Sequence, residues 1–312
     1  MCIRDSLKNR INGTVEFYLQ NTKDLLLKRQ LPVVSGFSSV MSNVGSTRNK
    51  GIEITLNTRN IMNRNFTWST DLTFSANKEE IVELYNGKTD DVGNLWFIGQ
   101  PIDVYYNYKK IGIWQNTEND LAEMAKFNEK GANFKPGSIR LEDVDGDYKI
   151  TEEDKQILGS VRPKFVASMV NNFEFKGFDL SVFLYASVGG LLRNNIEFME
   201  KPGRGNTVKV DYWTSTNPTN AFPRPSVDVE KLDYISTLGY DKADFLRIRN
   251  ITLGYTLPEM WSKKVLMDKI RIYLSANNPA IFTNFTGIDP EGANGRTAPS
   301  YSTWMFGINL SM

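Results

Sequence analysis

The feature that most constrains this chain is a period-two alternation that runs longer than a soluble strand needs. Phe66, Trp68, Thr70, Leu72, Phe74 and Ala76 form one largely apolar face, while the interleaved Thr67, Ser69, Asp71, Thr73, Ser75 and Asn77 are all polar. Side chains alternate between faces along a strand, so this pattern demands an extended segment with an apolar and a polar side. Its length of about twelve residues exceeds the ~5–6 of an ordinary strand. The same alternation recurs over 178–187. It closes the chain as well, in Trp304, Phe306, Ile308, Leu310 and Met312. Shorter versions occupy 52–57 and 270–275, and strands with less clean faces are expected over 13–20, 165–175 and 244–257. Asn171 interrupts the apolar side of one of these, and a change of face near Asn250 predicts either a bulge in another or a strand that leaves the bilayer. Short helices are expected over 118–130 and 152–158.

The connections alternate in length. Residues 61–65, the Lys176-Gly177 turn and 258–268 are short, whereas 21–50, 78–164, 189–243 and 279–301 are long. Outer-membrane barrels sort their loops this way, with short periplasmic turns and long extracellular loops. Mean hydropathy is −0.38 and no run approaches the ~20 apolar residues of a spanning helix. That excludes a helical membrane protein but not a barrel, whose strands average out as mildly polar. The expected fold is therefore all-β, an antiparallel transmembrane β-barrel segment with long extracellular loops. Leu72, Phe74, Leu180, Val182, Phe306 and Ile308 should face lipid, and Thr73, Asp179, Ser181 and Asn309 the lumen. The alternative is a soluble secreted carbohydrate-binding β-protein carrying a structural calcium loop.

Composition narrows the function. Lys+Arg is 37 against Asp+Glu 36, a net charge of +1 that gives no electrostatic reason to expect nucleic acid. The sequence has no His, which removes Ser-His and Cys-His triads and the usual general base. Cys2 is the only cysteine, so no disulfide framework or zinc-thiolate site forms within one chain. No P-loop, dinucleotide fingerprint or G-x-S-x-G is present. No catalytic residue is assigned and no enzyme is expected.

Two constellations are candidates for binding. Residues 143–154, DVDGDYKITEED, place Asp143, Asp145, Asp147 and Asp154 at positions one, three, five and twelve of a Ca²⁺ loop. Lys149 would add its backbone carbonyl and Thr151 its hydroxyl or a bridged water. Tyr148 stands where such loops usually carry glycine, and a solvated acidic turn is the plainer reading of the same residues. The second constellation is aromatic: Trp96, Phe97, Tyr105, Tyr106, Tyr108, Trp114, Tyr212, Trp213 and Tyr240. Of these, Trp114, Tyr212 and Trp213 are the candidates for stacking on a sugar or an apolar group, with internal packing as the alternative.

Four segments resemble one family. Residues 43–55, NVGSTRNKGIEIT, are similar to the N-x-G-x-x-x-N-x-G-[IV]-E strand entry of the SusC/RagA family of TonB-linked outer-membrane transporters. The acidic stretch 137–165, the run FLRIRNITLGYTLP at 245–258 and TGIDPE at 286–291 resemble further motifs of that family, in its order. The resemblance implies the C-terminal part of a barrel, with about eight of roughly 22 strands. In that picture residues 1–12 are a truncated or non-native start and 13–312 is barrel, with 78–164 and 189–243 as long extracellular loops. The resemblance also implies import of oligosaccharides or peptides in the outer membrane of a Bacteroidetes-like Gram-negative cell. The partners it implies are a SusD-like surface lipoprotein, the TonB complex acting through parts absent here, and membrane lipid.

Overall fold

The structure is a computed structural model. It describes residues 2–6, 10–31, 34, 36–43, 45–194, 210–225, 232–292 and 300–312. A nine-stranded antiparallel sheet dominates, and its strands lie side by side in chain order. They are β1 (Cys2–Ser6), β2 (Ile11–Lys23), β3 (Ser46–Met62), β4 (Phe66–Glu83), β5 (Phe165–Phe175), β6 (Phe178–Val188), β7 (Phe245–Thr256), β8 (Lys269–Thr283) and β9 (Thr303–Ser311). The short strand β1, paired with β2, is one more than the alternation signalled. Strict antiparallel order puts every short turn at one edge of the sheet and every long connection at the other, as loop parity predicts.

Register sorts the faces. Directly paired residues lie on the same side of a sheet, so Leu56, Leu72, Met169 and Leu184 share one row. Trp68, Phe173, Leu180, Leu253, Leu274 and Phe306 share another. This apolar face is uncovered: Phe306 is 71% and Trp304 65% exposed. A soluble protein would have to hide such a face, whereas in a membrane barrel lipid would cover it. The polar side carries Asn57 donating to Asp71 at 2.7 Å, the Thr73–Ser168 hydroxyl pair at 2.6 Å, and the Arg271–Asp179 ion pair.

Asn171, the apparent flaw in the apolar face, is satisfied locally. Its Oδ1 accepts the Trp68 indole N–H at 3.0 Å and the Thr70 hydroxyl at 2.7 Å. The bulge expected near Asn250 is present, with register shifts around Arg249 on both flanks and Asn278 opposite at φ 49°. In the Lys176-Gly177 turn both residues have positive φ, 47° and 87°, as the two-residue hairpin that matches strand twist requires. A Cβ on Gly177 would meet the Thr256 carbonyl at 2.9 Å, which leaves no room for another residue.

Several strands reach farther than the alternation indicated. β3 begins at Ser46 and β4 continues to Glu83, because ladder pairing persists above the apolar rows where polar side chains meet water. A helix, α1 (Glu118–Glu129), lies where expected, and the Thr117 hydroxyl accepts the Asp120 N–H at its start. The helix expected over 152–158 is corrected. Only Glu152–Asp154 forms a 3-10 turn, and Gln156–Ser160 is a strand paired with Val104–Asn107.

An outward charge in the apolar band should be costly. Val182 lies midway along the outward positions of β6, beside Asn171 and Ile251. Val182→Arg should destabilise by about 2–4 kcal/mol, while Ser181→Arg on the other face should cost far less. Urea unfolding and heat-modifiability of the full-length protein in liposomes would measure both. Equal costs would contradict lipid exposure.

Candidate functional site

Nearly all the fully buried apolar side chains lie in the long connections, because an open sheet has no interior of its own. Ile113, Ile139, Leu141, Trp213, Ile235 and Leu238 form one cluster, and Trp114, Met124 and Phe127 a second. Small hairpins support them: Lys110–Ile113 pairs with Ile139–Leu141, and Leu191–Arg193 with Tyr240–Lys242. The rim is thus folded around its own cores.

This placement corrects two of the aromatic candidates. Trp114 is 1% exposed, packed edge-on to Phe127, with the Arg140 guanidinium 4.4 Å above its ring. Arg140 is held in turn by Asp120 and Glu123. Trp213 is also buried, and its indole N–H donates to Gln115 at 2.8 Å. Neither ring offers a face to a ligand, because both supply the apolar area that folds the rim. Tyr212 alone of the three is exposed.

The acidic loop curls as its spacing predicts. One carboxylate oxygen from each of Asp143, Asp145 and Asp147 lies within 4.8 Å of the others. Backbone donors hold the curl: Asp143 accepts the N–H groups of Gly146 and Tyr148, Asp145 that of Asp147, and Asp147 that of Lys149. Tyr148 takes the glycine-like conformation, φ 62°, and its ring packs edge-on to Phe127 at 5.4 Å. Thr151 and Asp154 do a different job, forming a reciprocal cap on the Glu152–Asp154 turn. Asp154 is buried and also accepts the Val144 N–H at 2.8 Å. The Asp147 N–H hydrogen bond favours the charged form of Asp145, but desolvation, the Asp147 and Asp154 charges and a bond with Asp143 outweigh it. The Asp145 carboxyl is therefore raised above its ordinary value.

A cleft of about 950 Å³ opens among the rim segments. Lys109, Lys110, Asp211, Asp241, Phe222 and Tyr240 are among its lining residues. The Lys110 Nζ donates to the carbonyls of Asn220 and Ala221, and burial lowers its pKa. Asp211 accepts from Thr219 and Asn217, and both bonds hold its carboxyl below the usual range. These residues come from distant segments and share no motif, so the cleft was not foreseeable from spacing.

A buried clamp ties one connection to the wall. Arg247 on β7 is 3% exposed, with Nη2 2.7 Å from Asp289 Oδ1 and Nε 2.8 Å from Glu291 Oε2. Arg249 pairs with the same Glu291. The motif runs 245–258 and 286–291 marked both ends of this contact, but nothing in the sequence paired them.

No family model matches the chain. TonB-dependent receptor P3 of Formosa agariphila is 31% identical over 97% of the chain and 32% of that receptor. TonB-dependent receptor SusC of Bacteroides thetaiotaomicron is 28% identical over 97% of the chain and 30% of its own length. The solved RagAB peptide transporter superposes with a TM-score of 0.76 at 25% identity, over 97% of this chain and 34% of that one. Over nearly its whole length the chain is similar to TonB-dependent receptors of the SusC/RagA type. It is an outer-membrane β-barrel segment, and it spans about a third of the length of the curated relatives it matches. The clamp thus joins a barrel-wall strand to one of the long connections.

Removing one partner of a buried ion pair strands the other charge. Arg247→Ala should loosen residues 286–291 by about 3–5 kcal/mol, read as faster hydrogen exchange there in the intact receptor. Arg247→Lys should not restore protection, because an ammonium cannot serve both carboxylates as the guanidinium fork does. Burial would push the Asp289 carboxyl up, but Ser300, the Glu291 N–H and Arg247 more than offset it and depress its pKa. Its stabilising contribution is therefore present above the ordinary carboxylate value and is lost as pH falls through the depressed one.

Proposed function

We propose that the intact receptor imports short peptides across the outer membrane, with a SusD-like surface lipoprotein over its rim and TonB acting through parts outside this chain. The rim cleft is the observation that carries the substrate class. It presents ionisable groups of both signs, Lys109, Asp211 and Asp241, beside apolar walls, which suits a zwitterionic chain with mixed side chains. Oligosaccharides are the second reading. They call for open aromatic faces, and Trp114 and Trp213 are buried while Tyr212 is exposed. The residues present hold, orient and admit a solute without a chemical step.

Uptake tests this reading. Deletion of the receptor gene, or of an adjacent lipoprotein gene, should abolish accumulation of labelled oligopeptides and leave oligosaccharide uptake intact. The opposite pattern would favour sugars. Unchanged uptake of both would overturn the importer reading.

We also propose that Asp143, Asp145 and Asp147 hold a structural Ca²⁺. Three converging carboxylates suit a hard cation, whose charge would offset their mutual repulsion. A site of this kind would fill at about 10⁻⁴–10⁻³ M Ca²⁺. Calorimetry on the intact receptor should show uptake that Asp145→Asn with Asp147→Asn abolishes. Uptake should also weaken on acidification, as Asp145 protonates from above its ordinary value. No heat at millimolar Ca²⁺ would count against the site.

A further inference from the structure

The outward face does not end where its apolar rows end. Phe17, Ile52 and Ala76 form the uppermost apolar row across β2, β3 and β4. The next outward row is Leu19, Lys50 and Lys78, and the one above it is Asn21, Arg48 and Glu80. Lys50 and Lys78 are directly opposite each other in the ladder, an arrangement that like charges disfavour. Both are exposed. Lys78 reaches Glu80 only at 3.7 Å, and Arg48 reaches the same carboxylate at 3.5 Å. Lys50 has no hydrogen-bond or ion-pair partner among the described residues. One acid thus faces three cations.

Height gives this cluster its meaning. From Phe66 to Ala76 the apolar band of β4 runs ten residue steps, about 33 Å along the strand at ~3.3 Å per residue. At a tilt of about 40° that is roughly 25 Å, the height of a barrel's lipid-facing band. Lys50 and Lys78 follow immediately, at the long-connection edge, which is the cell's outer face. Their ammonium groups stand at headgroup level on the side that touches lipid.

We infer that Lys50 and Lys78, with Arg48, form a binding site for the phosphorylated headgroup of an outer-leaflet lipid. A phosphate between the two ammonium groups removes the repulsion that the bare ladder leaves, and its acyl chains lie along the Phe17–Ile52–Ala76 row. The partner is lipid A, the phosphorylated lipid of the outward leaflet.

The full-length receptor in detergent, titrated with lipid A and followed by native mass spectrometry, tests the assignment. Lys50→Gln with Lys78→Gln should lower lipid A occupancy about tenfold or more. Lys50→Arg with Lys78→Arg should retain it. Lipid A stripped of phosphate should bind the wild type no better than the Gln pair binds intact lipid A. Lys130→Gln, a remote rim control, should change nothing. Heat-modifiability of each variant verifies that the barrel is folded. Undiminished binding by a folded Gln pair, or equal binding of dephosphorylated lipid, would overturn the site. So would an equal loss with Lys130→Gln, which would indicate bulk charge alone. Equal affinity for phosphatidylglycerol would overturn the assignment to the outer leaflet's lipid.

Discussion

Everything in this structure depends on the main-chain ladder. In hydrocarbon an N–H or C=O has no water to turn to, and each unsatisfied group costs several kcal/mol. Between the outermost two strands of the sheet, adjacent antiparallel strands satisfy those groups on both sides and leave side chains to deal with the surroundings. The polar and apolar faces follow from that pairing. So does the sorting of connections, since an antiparallel sheet in chain order has only two edges to offer.

The wall and the rim are stabilised by different means. The wall has no interior, and its outward Leu, Phe and Trp side chains meet lipid. The rim buries Trp114, Phe127, Ile113 and Trp213 in compact clusters of its own. The Arg247–Asp289–Glu291 clamp connects the two, placing charges where they are dehydrated but neutralised. A rim ordered in this way presents a formed cleft, so a solute entering it would not first have to order the rim.

The wall was legible in the sequence because its signal is local. Residues 66–77 announce their faces without reference to any other segment, and Lys176-Gly177 announces its turn. The rim was less legible because its order comes from contacts between distant segments. Trp114 and Tyr212 look alike as loop aromatics, and only the meeting of α1 with residues 132–150 decides that Trp114 is core. Helical propensity over 152–158 lost to pairing with Val104–Asn107, a partner about fifty residues away. The acidic loop lay between these cases. Its curl is written in local spacing, whereas the use of Thr151 and Asp154 as a cap depends on the turn that follows.

The Trp68–Asn171–Thr70 contact bears on how the wall finds its alignment. A slip of one residue between β4 and β5 would turn every apolar side chain inward and is excluded by the alternation itself. A slip of two would preserve the alternation, so the pattern of faces cannot reject it. It would, however, bring Asn171 opposite Leu72 or Trp68 instead of Thr70 and set an amide among acyl chains without its two donors. The polar residue that interrupts the apolar face is therefore a checksum. It distinguishes the native alignment from the decoy that hydrophobicity would accept, across strands separated by an eighty-residue excursion through the rim.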